Sequence, residues 1–166
     1  MKSVLISIQE EHNANIEKGL KKGELRTRVP KCELPIKLYT YESGKNGRHK
    51  VTNEWICREI REYTNPDSYP LSLVDRACVP FSYICDYAKD GEKTLYELVI
   101  SDLVIYDEPK ELGEFYRECE NEKCENCPYL YVENTPNCYE TWCEVNGKIP
   151  ITRPPQSWCY VEELGV

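Results

Sequence analysis

The sequence predicts an α+β fold: a small mixed or closed β-barrel with short helices at its mouth. About six short runs show the alternation or β-branched content of strands, and two or three short segments show helical spacing. The connections between them are irregular, which favours such a barrel. The length of 166 residues fits a single domain spanning 1–166.

The predicted strands differ in strength. The strongest signal lies at 94–106, which fits either two strands or one strand with a bulge near Ser101-Asp102. Residues 50–60 are ambiguous, because they fit either a helix capped by Thr52 or a strand with alternating inward residues. Pro154-Pro155 forces an extended approach to a final strand. The other strands are predicted over 4–8, 24–29 and 36–41.

Helices are expected at only two places. One covers 12–20, where nearby glycines limit its length, and the other covers 110–116 after Pro109. An Asn-Gly pair at 46–47 is typical of a hairpin turn. Residues 62–93 contain three prolines and are predicted to be rich in loops.

Charge is divided unevenly along the chain. Residues 1–61 contain 13 Lys and Arg against 8 Asp and Glu, whereas residues 62–166 contain 8 against 21, and the net charge is −8. An acidic protein repels a long polyanion, so duplex DNA is not expected as a partner. The basic half is compatible with a local anion site or with solvated surface.

The N-terminal apolar stretch is short. Residues 4–8 are followed by charge, which is too little for a secretory signal, and no run of about 18 apolar residues suggests a membrane span. We therefore expect a cytoplasmic protein with no membrane partner.

Ten cysteines are present, and five of them fall in a polar insertion at about 117–148. Cys124 and Cys127 have the C-x2-C spacing of a zinc knuckle. The sequence therefore predicts a structural zinc ion bound by four of these five thiolates, although free thiols and disulfides remain the alternatives. The candidate ligands are Cys119, Cys124, Cys127, Cys138 and Cys143.

A family resemblance rests on two stretches. Ile16, Gly19, Lys21, Glu24 and Arg26 match the pattern I-x-x-G-x-K-T-x-E-x-R, which resembles the signature of ASCH domains in the PUA-like superfamily. The stretch 51–57 resembles a strand of these proteins, which favours the strand interpretation there. The block 101–112, the Cys-rich insert and the Arg-Pro-Pro-Gln-Ser-Trp ending are similar to small ASCH-type proteins carried by phages.

The resemblance implies a PUA-like (ASCH) barrel with a cleft that takes RNA, modified bases or, in one branch, an acylated cytidine. That hydrolase branch uses a threonine nucleophile, and Lys22 stands at its position in this chain. A lysine cannot replace a hydroxyl nucleophile in the same chemistry. Enzymatic activity is therefore not the expected function.

Basic residues cluster next to this motif. The two-residue period of a strand places Glu24, Arg26 and Arg28 on one face, where arginine suits phosphate and Glu24 accepts from a base edge. Trp55 offers a surface for base stacking, although barrel core is the alternative for it. Solvated surface is the alternative for the charged residues. The candidate ligand-binding residues are Lys21, Lys22, Glu24, Arg26, Arg28 and Trp55.

Three functions are considered. The leading hypothesis is noncatalytic binding of a nucleotide-type small molecule or modified base, with sequestration of a host nucleotide signal by a phage protein as its counter-defence role. Binding of short single-stranded RNA is the second. Hydrolysis of an acylated or modified nucleoside is the third.

Overall fold

The computed structural model describes residues 1–117 and 149–164, and in these the main element is one mixed six-stranded sheet in the order β2-β5-β4-β3-β1-β6. β1 pairs with β3 in parallel, and the other pairings are antiparallel. The strands are β1 Lys2–Gln9, β2 Gly23–Arg26, β3 Ile36–Ser43, β4 Val51–Tyr63, β5 Leu95–Lys110 and β6 Trp158–Val161. The helices are α1 Glu10–Glu17, α2 Ser72–Ala77 and α3 Phe81–Tyr87, with 3₁₀ turns at Pro66–Ser68 and Leu112–Glu114.

The sheet curls into a half-barrel, so that its two edges meet. The Arg26 guanidinium on β2 donates to the Ser7 carbonyl oxygen on β1 at 2.7 Å. Trp158 on β6 donates its indole N–H to the Arg28 carbonyl oxygen at 3.1 Å. Within the described ranges no backbone ladder joins β2 to β6, and side chains bridge the gap instead. This confirms the predicted small α+β architecture.

β1 packs with both faces buried. Val4, Ile6 and Ile8 belong to one apolar cluster and Leu5 to another on the opposite face, as the two-residue period of a strand requires. This burial explains the nearly continuous apolar run in the sequence.

α1 begins directly after β1 and is tied to the sheet by a buried amide. Asn13 donates to Glu42 at 2.7 Å and to Thr52 at 2.9 Å, and it accepts from Asn53 at 2.8 Å. The helix ends at Glu17, earlier than the predicted 12–20, and Gly19 adopts a φ of 69° in the turn that follows. These contacts hold α1 against β3 and β4.

The ambiguous segment is a strand, as the family resemblance predicts. Asn53, Trp55 and Cys57 are fully buried on β4 and alternate with the less buried Glu54 and Ile56, as predicted. The alternation does not extend to Val51, because the register is irregular between Val51 and Asn53 and Val51 packs in a different apolar cluster from Trp55. The bulge on β5 is also confirmed. Ile56 faces Ser101 whereas Glu54 faces Val104, so β5 has one extra residue there, and Asp102 takes a positive φ of 48°.

Three local predictions are wrong in detail. β2 stops at Arg26 rather than continuing to 29. The hairpin between β3 and β4 turns at Lys45-Asn46, with the Gly47 N–H donating to the Gly44 carbonyl oxygen at 3.3 Å. The predicted helix at 110–116 is only a 3₁₀ turn, because β5 continues to Lys110 through its pairing with Val51.

Residues 62–93 contain two short helices that the loop prediction missed. Pro80 is the N-cap of α3, and Pro70 lies two residues before the first residue of α2. Leu73 of α2 and Ile84 of α3 are fully buried and build a second apolar cluster with Leu25 and Leu95. Tertiary packing stabilises these helices, which are too short to form alone.

Gly23 permits close packing of a buried carboxylate. A Cβ at this position would lie 2.4 Å from Glu97 Oε1, and ion pairs hold Glu97 in place. We expect Gly23→Ala to lower the free energy of unfolding by about 1–3 kcal/mol, because the extra methyl overpacks a site that cannot relax. Urea unfolding tests this, with Gly113→Ala as the control since no atom lies within 4 Å of its added Cβ. Equal stability of the two variants would contradict the prediction.

Candidate functional site: a charged cavity between the first two strands and α3

A cavity of about 260 Å³ opens where the curled sheet brings the end of β1 close to β2. Ser7, Ile8 and Gln9 line it from β1, and α1 contributes His12. The other walls come from β2, from the region of α3 and from Gln156 before β6. The cavity therefore joins parts of the chain that are distant in sequence.

The floor of the cavity is a buried ion triad. Lys21 and Glu24 are 3% and 6% exposed, and Arg26 lies beside them. Glu24 Oε2 is 3.4 Å from Lys21 Nζ, and Glu24 Oε1 is 2.9 Å from Arg26 Nη2. Two cations against one carboxylate leave a net positive charge.

The protonation states follow from these neighbours. Burial raises the pKa of Glu24, but the charges of Lys21 and Arg26 outweigh it and hold that pKa below its ordinary value. Burial, together with the Lys21 charge, lowers the pKa of His12, so the imidazole is neutral at pH 7. The cavity thus presents an ionised triad beside an uncharged imidazole.

Lys21 is held from outside the triad by α2. Its ammonium donates to the Ala77 carbonyl oxygen at 2.7 Å, and the Lys22 N–H donates to the Arg76 carbonyl oxygen at 2.7 Å. Arg76 in turn forms an ion pair with the fully buried Glu97, with Nε 2.6 Å from Oε1. α2 therefore sets the position of the Lys21 ammonium.

Tyrosines of α3 line one side of the cavity. The rings of Tyr83 and Tyr87 are nearly parallel, with centroids 6.2 Å apart and planes at 6°. The His12 ring lies 5.9 Å from Tyr83, tilted by 59°. An aromatic wall thus borders the charged floor.

The structure brings together only part of the predicted site. Lys21, Glu24 and Arg26 all line the cavity. Arg28 is exposed and does not line the cavity, because β2 ends at Arg26 and the two-residue period no longer applies beyond it. Lys22 precedes β2, and its exposed side chain does not line the cavity either.

Trp55 belongs to the core. It is fully buried, and its indole N–H donates to Thr40 Oγ1 at 3.0 Å. No face of the ring reaches the cavity, so the stacking role suggested for Trp55 is replaced by the alternative interpretation of barrel core.

Sequence reasoning missed several lining residues, chiefly Ser7, Gln9, His12, Tyr83, Tyr87 and Gln156. A signal existed for the tyrosines alone, since their spacing of four places them on one side of a helix. The others come together only through the curl of the sheet.

The five cysteines of the predicted zinc site, Cys119, Cys124, Cys127, Cys138 and Cys143, lie outside the described residues. Within the described ranges no group of three or more His, Cys, Asp or Glu is arranged to hold a metal ion. The zinc ion stays a prediction. Cys57 is fully buried, and burial raises the pKa of its thiol to about 11, so it packs as a small apolar residue.

In the part of the chain that the structure describes, no helix is both long and apolar enough to span a bilayer.

Comparisons with known proteins bear on the fold. No protein-family model matches the chain, and no curated protein does so. The crystal structure of the ASCH protein from Zymomonas mobilis is 17% identical, with a TM-score of 0.65 over 98% of this chain and 89% of that one. Two single-substitution variants of that protein are 16% identical, with TM-scores of 0.64 and 0.65 over 98% of this chain and 89% and 92% of theirs. Together with the motif around Lys21, this likeness shows that the chain has the fold of an ASCH domain.

Proposed function

We propose that the cavity binds one nucleotide-type ligand without catalysing a reaction. The observation that carries the proposal is the buried Lys21–Glu24–Arg26 triad at the floor of a cavity with an aromatic wall. Cations suit a phosphate, and an aromatic wall suits a base.

The size of the cavity supports a small ligand. Its volume of about 260 Å³ lies just below the range of roughly 300–1,000 Å³ that is common for drug-sized ligands. A single nucleotide inserted through one end fits this better than a large cofactor does. The proposed ligand is therefore a free nucleotide, and one unit of a short single-stranded RNA, which offers the same base and phosphate, is the alternative.

Charge supports a local rather than an extended interaction. The whole chain carries −8, and the net positive charge of the cavity rests on two side chains. A long polyanion is repelled by the acidic surface, whereas one phosphate at the cavity is attracted.

Hydrolysis has less support. The position of the threonine nucleophile in the hydrolase branch is occupied by Lys22, whose exposed side chain is not among the cavity-lining residues. We further propose sequestration of a host nucleotide signal, as a phage counter-defence, as the biological use of a binding pocket without turnover. Mass spectrometry of what the denatured protein releases after incubation in host lysate tests this role.

Calorimetry with the four ribonucleoside 5′-monophosphates and a short oligoribonucleotide tests the binding function. We expect one nucleotide per chain, and we expect Arg26→Ala to weaken binding by about 1.5–3 kcal/mol, the range for a charged hydrogen bond. Arg28 is exposed and lies outside the cavity, two residues after Arg26, so Arg28→Ala removes the same charge and should change affinity little.

Other outcomes of this calorimetry would lead to different conclusions. Equal losses of affinity in Arg26→Ala and Arg28→Ala would show nonspecific attraction and contradict the proposal. Binding of the oligoribonucleotide alone, with a steep salt dependence, would favour the RNA alternative. Turnover of an acylated cytidine would assign the hydrolase instead. Because Arg26 also bridges β2 to β1, the thermal midpoint of Arg26→Ala is compared with that of the wild type, and Arg26→Gln serves as a second variant.

A further inference from the structure

We propose that Tyr83 is the side chain on which the base of the ligand stacks, so that α3 is the element that recognises the base. This inference rests on the proposed function, and it assigns the base and the phosphate to different walls of the cavity.

The helix presents its tyrosines together. Tyr83 and Tyr87 are four residues apart on α3, a spacing that places both side chains on the same side of a helix. Their rings are nearly parallel at 6°, and both line the cavity. The wall is therefore a pair of aligned rings rather than one isolated side chain.

The apolar core does not account for Tyr83. A neighbouring side of α3, about 100° around the helix from the tyrosines, makes the core contacts, where Ile84 and the following Ala88 are fully buried in the second apolar cluster. Tyr87 packs partly against that cluster, whereas Tyr83 does not belong to it and is 42% exposed. A large aromatic ring is thus held at the cavity by a helix that is anchored elsewhere.

The two walls of the cavity differ in chemistry. Tyr83 offers a π face, with the neutral His12 ring 5.9 Å away, while the triad offers the charges. Gln9 and Gln156 also line the cavity, and each amide both donates and accepts, as the edge of a base requires. A flat heterocycle joined to an anionic group satisfies all three features.

The test separates the base from the phosphate. Binding of the four ribonucleoside 5′-monophosphates and of ribose 5-phosphate, which lacks a base, is measured by calorimetry for wild type, Tyr83→Leu and Tyr83→Phe. We expect Tyr83→Leu to weaken the best-bound monophosphate about 5- to 150-fold, the effect of losing one stacked base. Ribose 5-phosphate should bind Tyr83→Leu and wild type alike, and Tyr83→Phe should keep wild-type affinity because it keeps the ring.

Phe81→Leu is the matched control. Phe81 lies on the same helix, is 41% exposed and does not line the cavity, so loss of its ring should leave affinity unchanged. Thermal midpoints show whether each variant is folded.

The failure of this inference differs from the failure of the proposed function. If the monophosphate binds and depends on Arg26, but Tyr83→Leu loses no more than Phe81→Leu, the stacking assignment alone is overturned. If Tyr83→Leu weakens ribose 5-phosphate as much as the nucleotide, Tyr83 is not specific to the base, and the inference is again wrong. If the wild type binds none of the five probes, both proposals fail together.

Discussion

Replacing Arg76 with Met is expected to lower the free energy of unfolding at pH 7 by about 3–5 kcal/mol, the range for breaking a buried ion pair. Glu97 is fully buried, and its carboxylate accepts from Arg76 at 2.6 and 2.9 Å and from the Tyr63 hydroxyl at 2.8 Å. Loss of Arg76 leaves a buried charge with one hydroxyl partner and the more distant Arg61, 3.5 Å away. Urea unfolding measures the loss.

The pH dependence of this loss has a definite sign. Burial raises the pKa of Glu97, but the hydrogen bonds from Arg76 and Tyr63 outweigh it and hold the pKa below its ordinary value. In the wild type this group stabilises the fold above the pKa of the unfolded state, near 4.3, and that stability disappears as the pH falls through the lower folded-state pKa. In Arg76→Met the Glu97 carboxyl lacks the hydrogen bonds from Arg76, so its pKa is higher than in the wild type and it takes up a proton more readily. The difference in the free energy of unfolding between wild type and Arg76→Met should therefore be largest at neutral pH and should become smaller below about pH 4.

Arg58→Met provides the control for the same substitution. Arg58 pairs with Asp102 at 2.7 Å on β4 and β5, but both side chains are more than half exposed. An exposed ion pair contributes about 0–1 kcal/mol, so this variant should unfold nearly as the wild type does. A deficit for Arg76→Met no larger than that for Arg58→Met, or one that grows towards acid pH, would contradict the account of Glu97.

Replacing Lys21 with Met is expected to weaken binding of a ribonucleoside 5′-monophosphate by about 10- to 150-fold, the effect of a lost charged hydrogen bond. The Lys21 ammonium is 3% exposed and uses one donor on Ala77 and one on Glu24. Its removal leaves one cation against one carboxylate, so the net positive charge of the cavity disappears. Calorimetry at fixed salt measures the change.

Two comparisons make this result specific. Lys22→Met removes the neighbouring charge, which is exposed and outside the cavity, and should alter affinity little. Lys21→Met should weaken binding of the uncharged nucleoside less than it weakens binding of the monophosphate, because only the phosphate depends on the ammonium charge. Unchanged affinity for the monophosphate would place the phosphate elsewhere.

Local sequence pattern is sufficient for much of this protein. The apolar run of β1, the alternation on β4 and the bulge near Asp102 are properties of neighbouring residues. The run appears as predicted, the alternation holds from Asn53 to Cys57, and the bulge is one of the two alternatives that the pattern allows. The pairing of Lys21, Glu24 and Arg26 is also local, because the three residues lie within six positions of one another. Their motif, through its resemblance to ASCH domains, correctly indicates the fold.

The cavity itself depends on contacts between distant residues. Ser7, Gln9 and Gln156 reach it only because the sheet curls and brings β1 and the segment before β6 next to β2, to which neither is paired. The tyrosine wall requires α2 and α3. Each helix has seven residues or fewer, which is too short for its helical propensity alone to predict it, and each becomes helical by packing on Leu25 and Leu95. The burial of Trp55 is also beyond the local pattern. Alternation places Trp55 on one face of β4, but only the curled sheet buries that face. The chemistry of the triad can thus be predicted from the residues, whereas the walls that turn it into a binding site arise from how the sheet closes.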